Sequence, residues 1–340
     1  MIVRSKAPLR IGFAGGGTDV SPYSDQYGGA ILNATINLFA YATIEPANDG
    51  MVTFHAADKG LTVTHRATEQ LPVNGKLDLQ IGAYNRIVRE FAGEPLSFKM
   101  TTFIDAPSGS GLGTSSTLMV SILGAFAEWL SLPLGEYDIA HLAYEIERLE
   151  LGMLGGKQDQ YSATFGGFNF IEFFADDKVI VNPLRIRSNY SNELAHNLVL
   201  FYTRSSRESS HIIERQRDNV QAKDQSAIEA MHKLKEQSMM MKEALLRGEI
   251  DRMGEILHFG WENKKKMADG ITNEMIDGFY NAAMRAGATG GKISGAGGGG
   301  FMIFYCPGNT RHRVIRALVE LGGIVQPFQF SKEGLLTWKA

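Results

Sequence analysis

Half of the glycines in this chain fall into four short windows, and that placement constrains the fold more than their number does. Gly12, Gly15, Gly16 and Gly17 form the first window, and Gly109, Gly111 and Gly113 the second. The third holds Gly152, Gly155, Gly156, Gly166 and Gly167; the fourth holds Gly290, Gly291, Gly295 and Gly297 to Gly300. Together they contain 19 of the 38 glycines. At the usual share of roughly 7%, a chain of this length would carry about 24, so the excess is local. Glycine admits positive φ and lets backbone approach a ligand closely. Placed between a strand and a helix, such turns aim backbone N–H groups at an anion. With no triplet period and only 10 prolines, a collagen-like fibre is excluded.

The rest of the composition is that of a globular protein. Hydrophobic residues make up 44% and aromatics 10%, enough to bury a core and to exclude disorder. The net charge of −3 gives no electrostatic footprint for nucleic acid or an anionic membrane. Cys306 is the only cysteine, so neither a disulfide framework nor a cysteine-built zinc site is expected. A reducing compartment follows. The segment MIVRSKAPLRIGFAGGG has no signal-like apolar stretch, and no run approaches the roughly 18 residues of a membrane span. The expectation is a cytoplasmic protein with no nucleic-acid or membrane partner. The sequence leaves its oligomeric state open.

A length of 340 residues suggests two domains. Residues 2–54 read as strands around glycine turns, and 52–65 as a further strand pair. Ile81, Tyr84, Ile87, Val88 and Phe91 fall at helical spacing. Phe98–Ile104 reads as a strand and Thr117–Trp129 as an apolar helix. Ile139, Leu142, Ala143, Ile146 and Leu149 make one apolar face over Asp138–Leu151. A glycine-punctuated segment, 152–167, precedes the strand FNFIEFF. Polar, irregular residues from Pro183 to Glu193 set the boundary between units 1–188 and 189–340. The second unit reads as strand Leu198–Tyr202, a long helical region near 209–268, and a helix at 275–286. A glycine turn (287–300), strand Phe301–Tyr305, helix 310–321 and a last strand complete it.

The second glycine window carries the sharpest chemistry. In Asp105-Ala-Pro-Ser-Gly-Ser-Gly-Leu-Gly-Thr-Ser-Ser116 a strand ends, the chain turns on three alternate glycines, and hydroxyl residues open a helix. Thr114, Ser115 and Ser116 are favoured N-cap types. First-turn N–H groups lack intrahelical partners and sit at the positive end of the dipole. The arrangement suits phosphate, with hydroxyls placed for phosphate oxygens or magnesium. It is not a P-loop. Gly75-Lys76, Gly156-Lys157 and Gly291-Lys292 are followed by Leu77, Gln158 and Ile293, where Ser or Thr is needed. Gly295, Gly297 and Gly300 match G-x-G-x-x-G, but they lead into the strand FMIFY and not into a helix.

GSGLGTSS before an apolar helix resembles the ATP loop of the GHMP kinases. KAPLRIGFAGGGTD resembles that family's first motif, and KISGAGGGGFMIFY its third. The three occur in the family's order across residues 6 to 305. The resemblance implies an α+β fold of two domains with the active site between them. The N-terminal domain would hold a left-handed βαβ unit, and the C-terminal domain would be ferredoxin-like. It implies ATP and Mg2+ as cofactors, with ATP held along Pro107, Gly109, Ser110, Gly111, Leu112, Gly113, Thr114, Ser115 and Ser116.

Further roles carry over by motif. Ser115 matches the family's magnesium-binding hydroxyl. Glu147 and Asp159 reproduce the spacing of twelve residues between a second magnesium ligand and a catalytic base. Asp19, in GGGTD, matches the aspartate that binds sugar hydroxyls. Arg10 matches the arginine that positions substrate near the base. Gly16, Gly17, Thr18, Gly297 and Gly298 are expected on the substrate side.

Galactokinases have IGEHTD where this chain has FAGGGTD, which argues against galactose. LRIGFAGGGTDVSPY, GGKQDQYSATFGGFNF and FYTRSSRES look most like the kinases of D-glycero-D-manno-heptose 7-phosphate, which phosphorylate the anomeric C1 oxygen. The small-molecule partner implied is a sugar phosphate. Its phosphate needs a second cationic pocket, for which Arg204, Arg207 and Lys157 are candidates, with Lys292 a weaker one. Fucokinases share a related GG-x-TD motif, so an unphosphorylated sugar is the competing substrate. A non-catalytic ATP- and sugar-binding regulator is a third reading. A decarboxylase of the isoprenoid branch fits poorly, because the QDQ segment is present.

Overall fold

The computed structural model describes residues 1–205 and 210–340. Among the described residues twelve strands form two sheets: β1 (Val3–Ala14), β2 (Gly29–Pro46), β3 (Met51–Ala56), β4 (Leu61–Arg66), β5 (Phe98–Ile104), β6 (Phe168–Phe173), β7 (Val179–Pro183), β8 (Leu198–Tyr202), β9 (Gly290–Ile293), β10 (Phe301–Tyr305), β11 (Ile324–Val325) and β12 (Leu336–Lys339). The first sheet runs β12-β1-β2-β5-β3-β4, with β6 paired to the long β2 and β7 to β6. β3 pairs with β5 in parallel, and the Asp78–Ile87 helix lies in the chain between them. The second sheet runs β11-β8-β10-β9 and is antiparallel. In chain order that is the 4-1-3-2 arrangement of a ferredoxin-like unit, with extra helices between its first two strands.

Alternation explains the outer strands. β5 reads buried-exposed-buried through Phe98, Met100, Thr102 and Ile104, and β3 likewise buries Val52, Phe54 and Ala56. β1 departs from alternation where the site is built. Pro8 has no N–H to give a ladder, and register shifts fall between Pro8 and Arg10 and again between Gly12 and Ala14. Such bulges re-aim side chains, and from Ala7 onward every β1 residue is buried.

The Thr114–Leu130 helix is apolar all round, buried from Ser116 through Phe126, and packs on β1 and β2. Phe98 meets Phe126 and Trp129 edge-on at 5.4 and 5.5 Å. Where the helix passes under the C-terminal segment it carries Gly124; a Cβ there would lie 2.6 Å from Leu335.

Four features differ from the sequence expectation. The 152–167 segment contains a helix, Gln158–Phe165, whose buried face is mostly polar (Gln160, Ser162, Thr164), so no apolar periodicity announces it. The 209–268 region is three helices, Ser210–Gln221, Gln225–Arg247 and Arg252–Lys264. Asp224 caps the second by accepting from Ser226 and Ala227 N–H, and Gly248 at φ +78° ends it. The expected 287–300 turn includes β9. The last strand is β12, which pairs with β1, so the unit expected at 189–340 is not confined to the second sheet. Among the described residues no helix is long and apolar enough to cross a membrane.

Candidate active site

A cavity of about 190 Å³ draws its walls from both halves of the chain. From the first half come Arg10, Asp19, the Gly109–Ser116 turn, Arg148 and Asp159; from the second come Gln216, Lys264, Gly295 and Ala296.

Arg10 sits at its centre, 3% exposed. Its Nε donates to Asp159 Oδ1 at 2.6 Å, and its Nη2 stands 2.6 Å from the same oxygen. Its Nη1 donates to the Gly111 carbonyl at 2.6 Å and, more weakly, to Ser294 Oγ at 3.4 Å. Ser294 Oγ also donates to the Gly111 carbonyl, at 2.8 Å. One guanidinium therefore joins all three glycine motifs and the carboxylate. The second and third motifs touch directly: a Cβ on Gly295 would lie 2.8 Å from Gly111 Cα. Only glycine allows that approach.

Gly113, at φ +79°, caps the Thr114–Leu130 helix, so Thr114, Ser115 and Ser116 occupy its first turn and are not N-caps as expected. Their N–H groups have no intrahelical partner, and all three residues line the cavity. Asp159 lies against this turn; a Cβ on Gly113 would stand 3.0 Å from its carboxyl. Ser115 is half-buried on the cavity wall. Ser116 is turned inward, its Oγ accepting from Gln160 Nε2 at 3.1 Å and Arg148 Nη2 at 3.2 Å. Ser110 is buried with its hydroxyl unpaired, and Leu112 packs into the core while its carbonyl accepts from Arg10 N–H at 3.2 Å. Pro107 and Gly109 are exposed at the rim.

Glu147 lies on a π-helical turn, Glu145–Glu150, of the kind common at functional sites. Arg86 brackets that turn, reaching Glu145 at 2.6 Å and Glu150 at 2.5 Å. Glu147 itself is fully buried behind Ser116 and Arg148. Its Oε2 accepts from Gln160 Nε2 at 2.6 Å, while its Oε1 has no hydrogen bond and stands 3.8 Å from Arg148 Nη1. Burial pushes its carboxyl up from the ordinary value, against the opposing pull of Arg148. An orphaned buried carboxylate oxygen suits a cation. Among the described residues no group of three or more His, Cys, Asp or Glu side chains is placed to hold a metal alone. Magnesium does not need one, since it binds through one or two carboxylates together with phosphates and water.

Asp19 is 2% exposed; its Oδ2 accepts from Gln158 N–H at 3.1 Å and its Oδ1 from Gly17 N–H at 3.3 Å. Burial raises its carboxyl pKa above the ordinary value. Gly17 is on the wall beside it and Gly16 lies next to Lys264.

Other expected residues are not brought to the cavity. Thr18 is buried and its hydroxyl bonds within its own turn, to the Gly15 carbonyl at 2.8 Å. Lys157 is buried in an ion pair with Asp177 at 2.5 Å, over the Tyr144 ring. Lys292 donates to the Gly12 carbonyl at 2.7 Å, and Arg204 is exposed. Gly297 and Gly298 pack on Ile271, and it is Gly295 and Ala296 that reach the cavity. Arg207 lies outside the described residues.

Sequence reasoning missed Arg148, Gln158, Gln216 and Lys264. Lys264 carried a signal: Ile256, Leu257, Gly260 and Trp261 form the buried stripe of its helix, and Lys264 continues it by three residues.

Residues 78–167 match the model of the GHMP kinases N terminal domain, and residues 241–323 that of the GHMP kinases C terminal domain. The chain is 47% identical, over 99% of both sequences, to the D-glycero-alpha-D-manno-heptose 7-phosphate kinase of Campylobacter jejuni. The chain belongs to the GHMP kinase family. Among solved GHMP kinase structures, a D-glycero-D-manno-heptose 1-phosphate kinase from Bacteroides thetaiotaomicron is 49% identical, with a TM-score of 0.86 and 99% of each chain covered. The bifunctional fucokinase/GDP-fucose pyrophosphorylase of Arabidopsis thaliana is 25% identical over 92% of this chain, which spans 30% of that longer protein. The two-domain GHMP kinase fold accounts for the two sheets and for a cavity walled from both halves of the chain.

Proposed function

We propose that this GHMP kinase transfers the γ-phosphoryl group of ATP to the anomeric C1 oxygen of D-glycero-D-manno-heptose 7-phosphate, giving the 1,7-bisphosphate. The observation that carries the reading is the place of Asp159. It lies against the phosphate-loop turn at Gly113, is fixed by Arg10, and shares one cavity with Asp19.

The residues divide by role. Gly109–Gly113 and the first-turn N–H groups of Thr114–Ser116 receive the phosphates of ATP. Mg2+, when bound, neutralises charge on those phosphates, and Ser115 with the free Oε1 of Glu147 would hold it. A second cavity, of about 290 Å³, shares Ser115 and Met153 with the first and adds Leu118, Leu151 and Leu79; it is the proposed seat of the nucleobase. Asp19 accepts hydrogen bonds from sugar hydroxyls. Asp159 takes the C1 hydroxyl proton as the C1–O–P bond forms and the bond to the β-phosphate oxygen breaks. An anomeric hydroxyl is more acidic than an ordinary alcohol, so an aspartate suffices as base.

The substrate assignment is supported by similarity to the Campylobacter enzyme, named for a heptose 7-phosphate. The Bacteroides protein is named for a heptose 1-phosphate, so the order in which the two positions are phosphorylated needs a direct test. ATP consumption measured over heptose 7-phosphate, heptose 1-phosphate, heptose, fucose and galactose provides it. The expected result is turnover with heptose 7-phosphate far above the free sugars. Full turnover on fucose with no gain from a 7-phosphate overturns the assignment.

A further inference from the structure

A phosphorylated sugar brings a dianion into a cavity that also receives ATP, and some cation must meet it. Three cationic side chains line the cavity among the described residues: Arg10, Arg148 and Lys264. Arg10 is taken up by Asp159 and the Gly111 carbonyl. Arg148 bonds Ser116 and faces Glu147, on the side of the phosphate loop. Lys264 is in a different position. It reaches in from the Arg252–Lys264 helix, 2% exposed, and its one side-chain hydrogen bond among the described residues is to the Gly295 carbonyl at 2.7 Å. It makes no ion pair among the described residues. An ammonium has three donors, so two have no partner among the described residues. Gly16 lies beside it: a Cβ there would stand 3.6 Å from Nζ, an ordinary contact.

Gln216 lines the same cavity, 3% exposed, with its Nε2 lacking a partner among the described residues. Its Oε1 lies beside Gly17, within 3.5 Å of where a Cβ would be. A buried amide donor without an acceptor is costly to keep, and one carried by a residue that lines the same cavity as the Lys264 ammonium suits an anion. The charged groups that act on Lys264 are Asp19 and Arg10. Its surroundings are therefore those of the sugar-side carboxylate.

We propose that Lys264 and Gln216 form the subsite that holds the phosphate of the sugar phosphate. The inference rests on the reading of the substrate as a phosphorylated sugar. The same donors could serve a second phosphate source, the γ-phosphate of ATP, and the test separates the two.

The experiment measures KM for heptose 7-phosphate, heptose and ATP in the wild type, Lys264→Met and Gln216→Leu. Calorimetric titration of heptose 7-phosphate and of ATP accompanies it. Methionine keeps the length of the buried stem without its charge. For Lys264→Met the expected result is a rise of about tenfold or more in KM for heptose 7-phosphate, the scale of a charged hydrogen bond. KM for ATP stays within about twofold, and KM for heptose does not change. Gln216→Leu gives a smaller loss in the same direction, and it carries the test if the lysine variant does not fold. A rise in KM for ATP instead places Lys264 on the γ-phosphate and overturns the proposal, as does an equal loss for both sugars. If the wild type itself does not favour heptose 7-phosphate over heptose, the substrate reading falls and the subsite with it. If the wild type discriminates and both variants discriminate equally well, the subsite alone falls.

Discussion

Arg10 delivers two nitrogens to a single oxygen of Asp159: Nε and Nη2 both stand 2.6 Å from Oδ1. Oδ2 is left without a protein donor among the described residues. A carboxylate held by one oxygen keeps its other lone pairs for a substrate proton, and its orientation is fixed before substrate arrives. Replacing Asp159 with Asn preserves the shape and removes the proposed base. The expected outcome is a fall in kcat of roughly a hundred- to ten-thousandfold, with ATP binding by calorimetry unaltered. Wild-type kcat in that variant contradicts the role.

Asp19 is held by the backbone on which it leans. A Cβ on Gly156 would stand 1.9 Å from Asp19 Oδ2, so Gly156→Ala must displace either the carboxylate or the 155–157 turn. A displacement of about 1 Å at a positioning group costs up to roughly a hundredfold. The expected loss is in kcat/KM for the sugar, with KM for ATP unchanged. Equal loss for both substrates would mean that the turn serves the phosphate loop and not the sugar.

Glu147 gives a prediction about stability as well as metal. Its folded pKa is raised, chiefly by burial, so the ionised form is disfavoured in the folded state. The sign follows: the cost is absent below the unfolded carboxylate range, grows as pH rises through it to the folded value, and then stays constant. Glu147→Gln removes that cost. Metal-free Glu147→Gln is expected to melt at or above the wild-type temperature at neutral pH, with a weaker pH dependence on the acid side. Its Mg2+ half-saturation is expected to rise by about tenfold or more, the scale on which even outer-shell partners act. A lower Tm with unchanged Mg2+ dependence would make Glu147 a purely structural residue.

Lys264 adds a pH limb. Burial lowers its pKa to about 8, with Asp19 opposing and Arg10 reinforcing the shift; buried Lys292 on β9 lies nearby, its own pKa depressed by burial and by the charges of Lys264 and Arg10. A lysine with a depressed pKa loses its charge as pH rises through that value. KM for a sugar phosphate is therefore expected to climb above about pH 8, and the climb is expected to vanish in Lys264→Met. A limb that survives the substitution assigns it to another group.

Much of this site was legible because motifs fix backbone shape. Arg10, Asp19, Ser115 and Asp159 sit at fixed offsets from glycines, and the cavity gathers all four. The failures have a common cause. Lys157 is two residues before Asp159, yet its side chain leaves the N-terminus of the Gln158–Phe165 helix in another direction and meets Asp177. Sequence adjacency says nothing about that direction. Lys264 was hidden in the run Lys264-Lys265-Lys266, which reads as a solvated charge cluster until the buried stripe of its helix is traced. In the fold, β12 was not legible as a partner of β1, because pairing between the two ends of a chain leaves no local pattern.

Phosphorus NMR of the product formed from ATP and D-glycero-D-manno-heptose 7-phosphate tests the central claim most directly. The account predicts a new phosphate coupled to the anomeric proton, with the original 7-phosphate signal retained. A product phosphorylated at any other oxygen, or no product from this sugar while fucose is consumed, would contradict it.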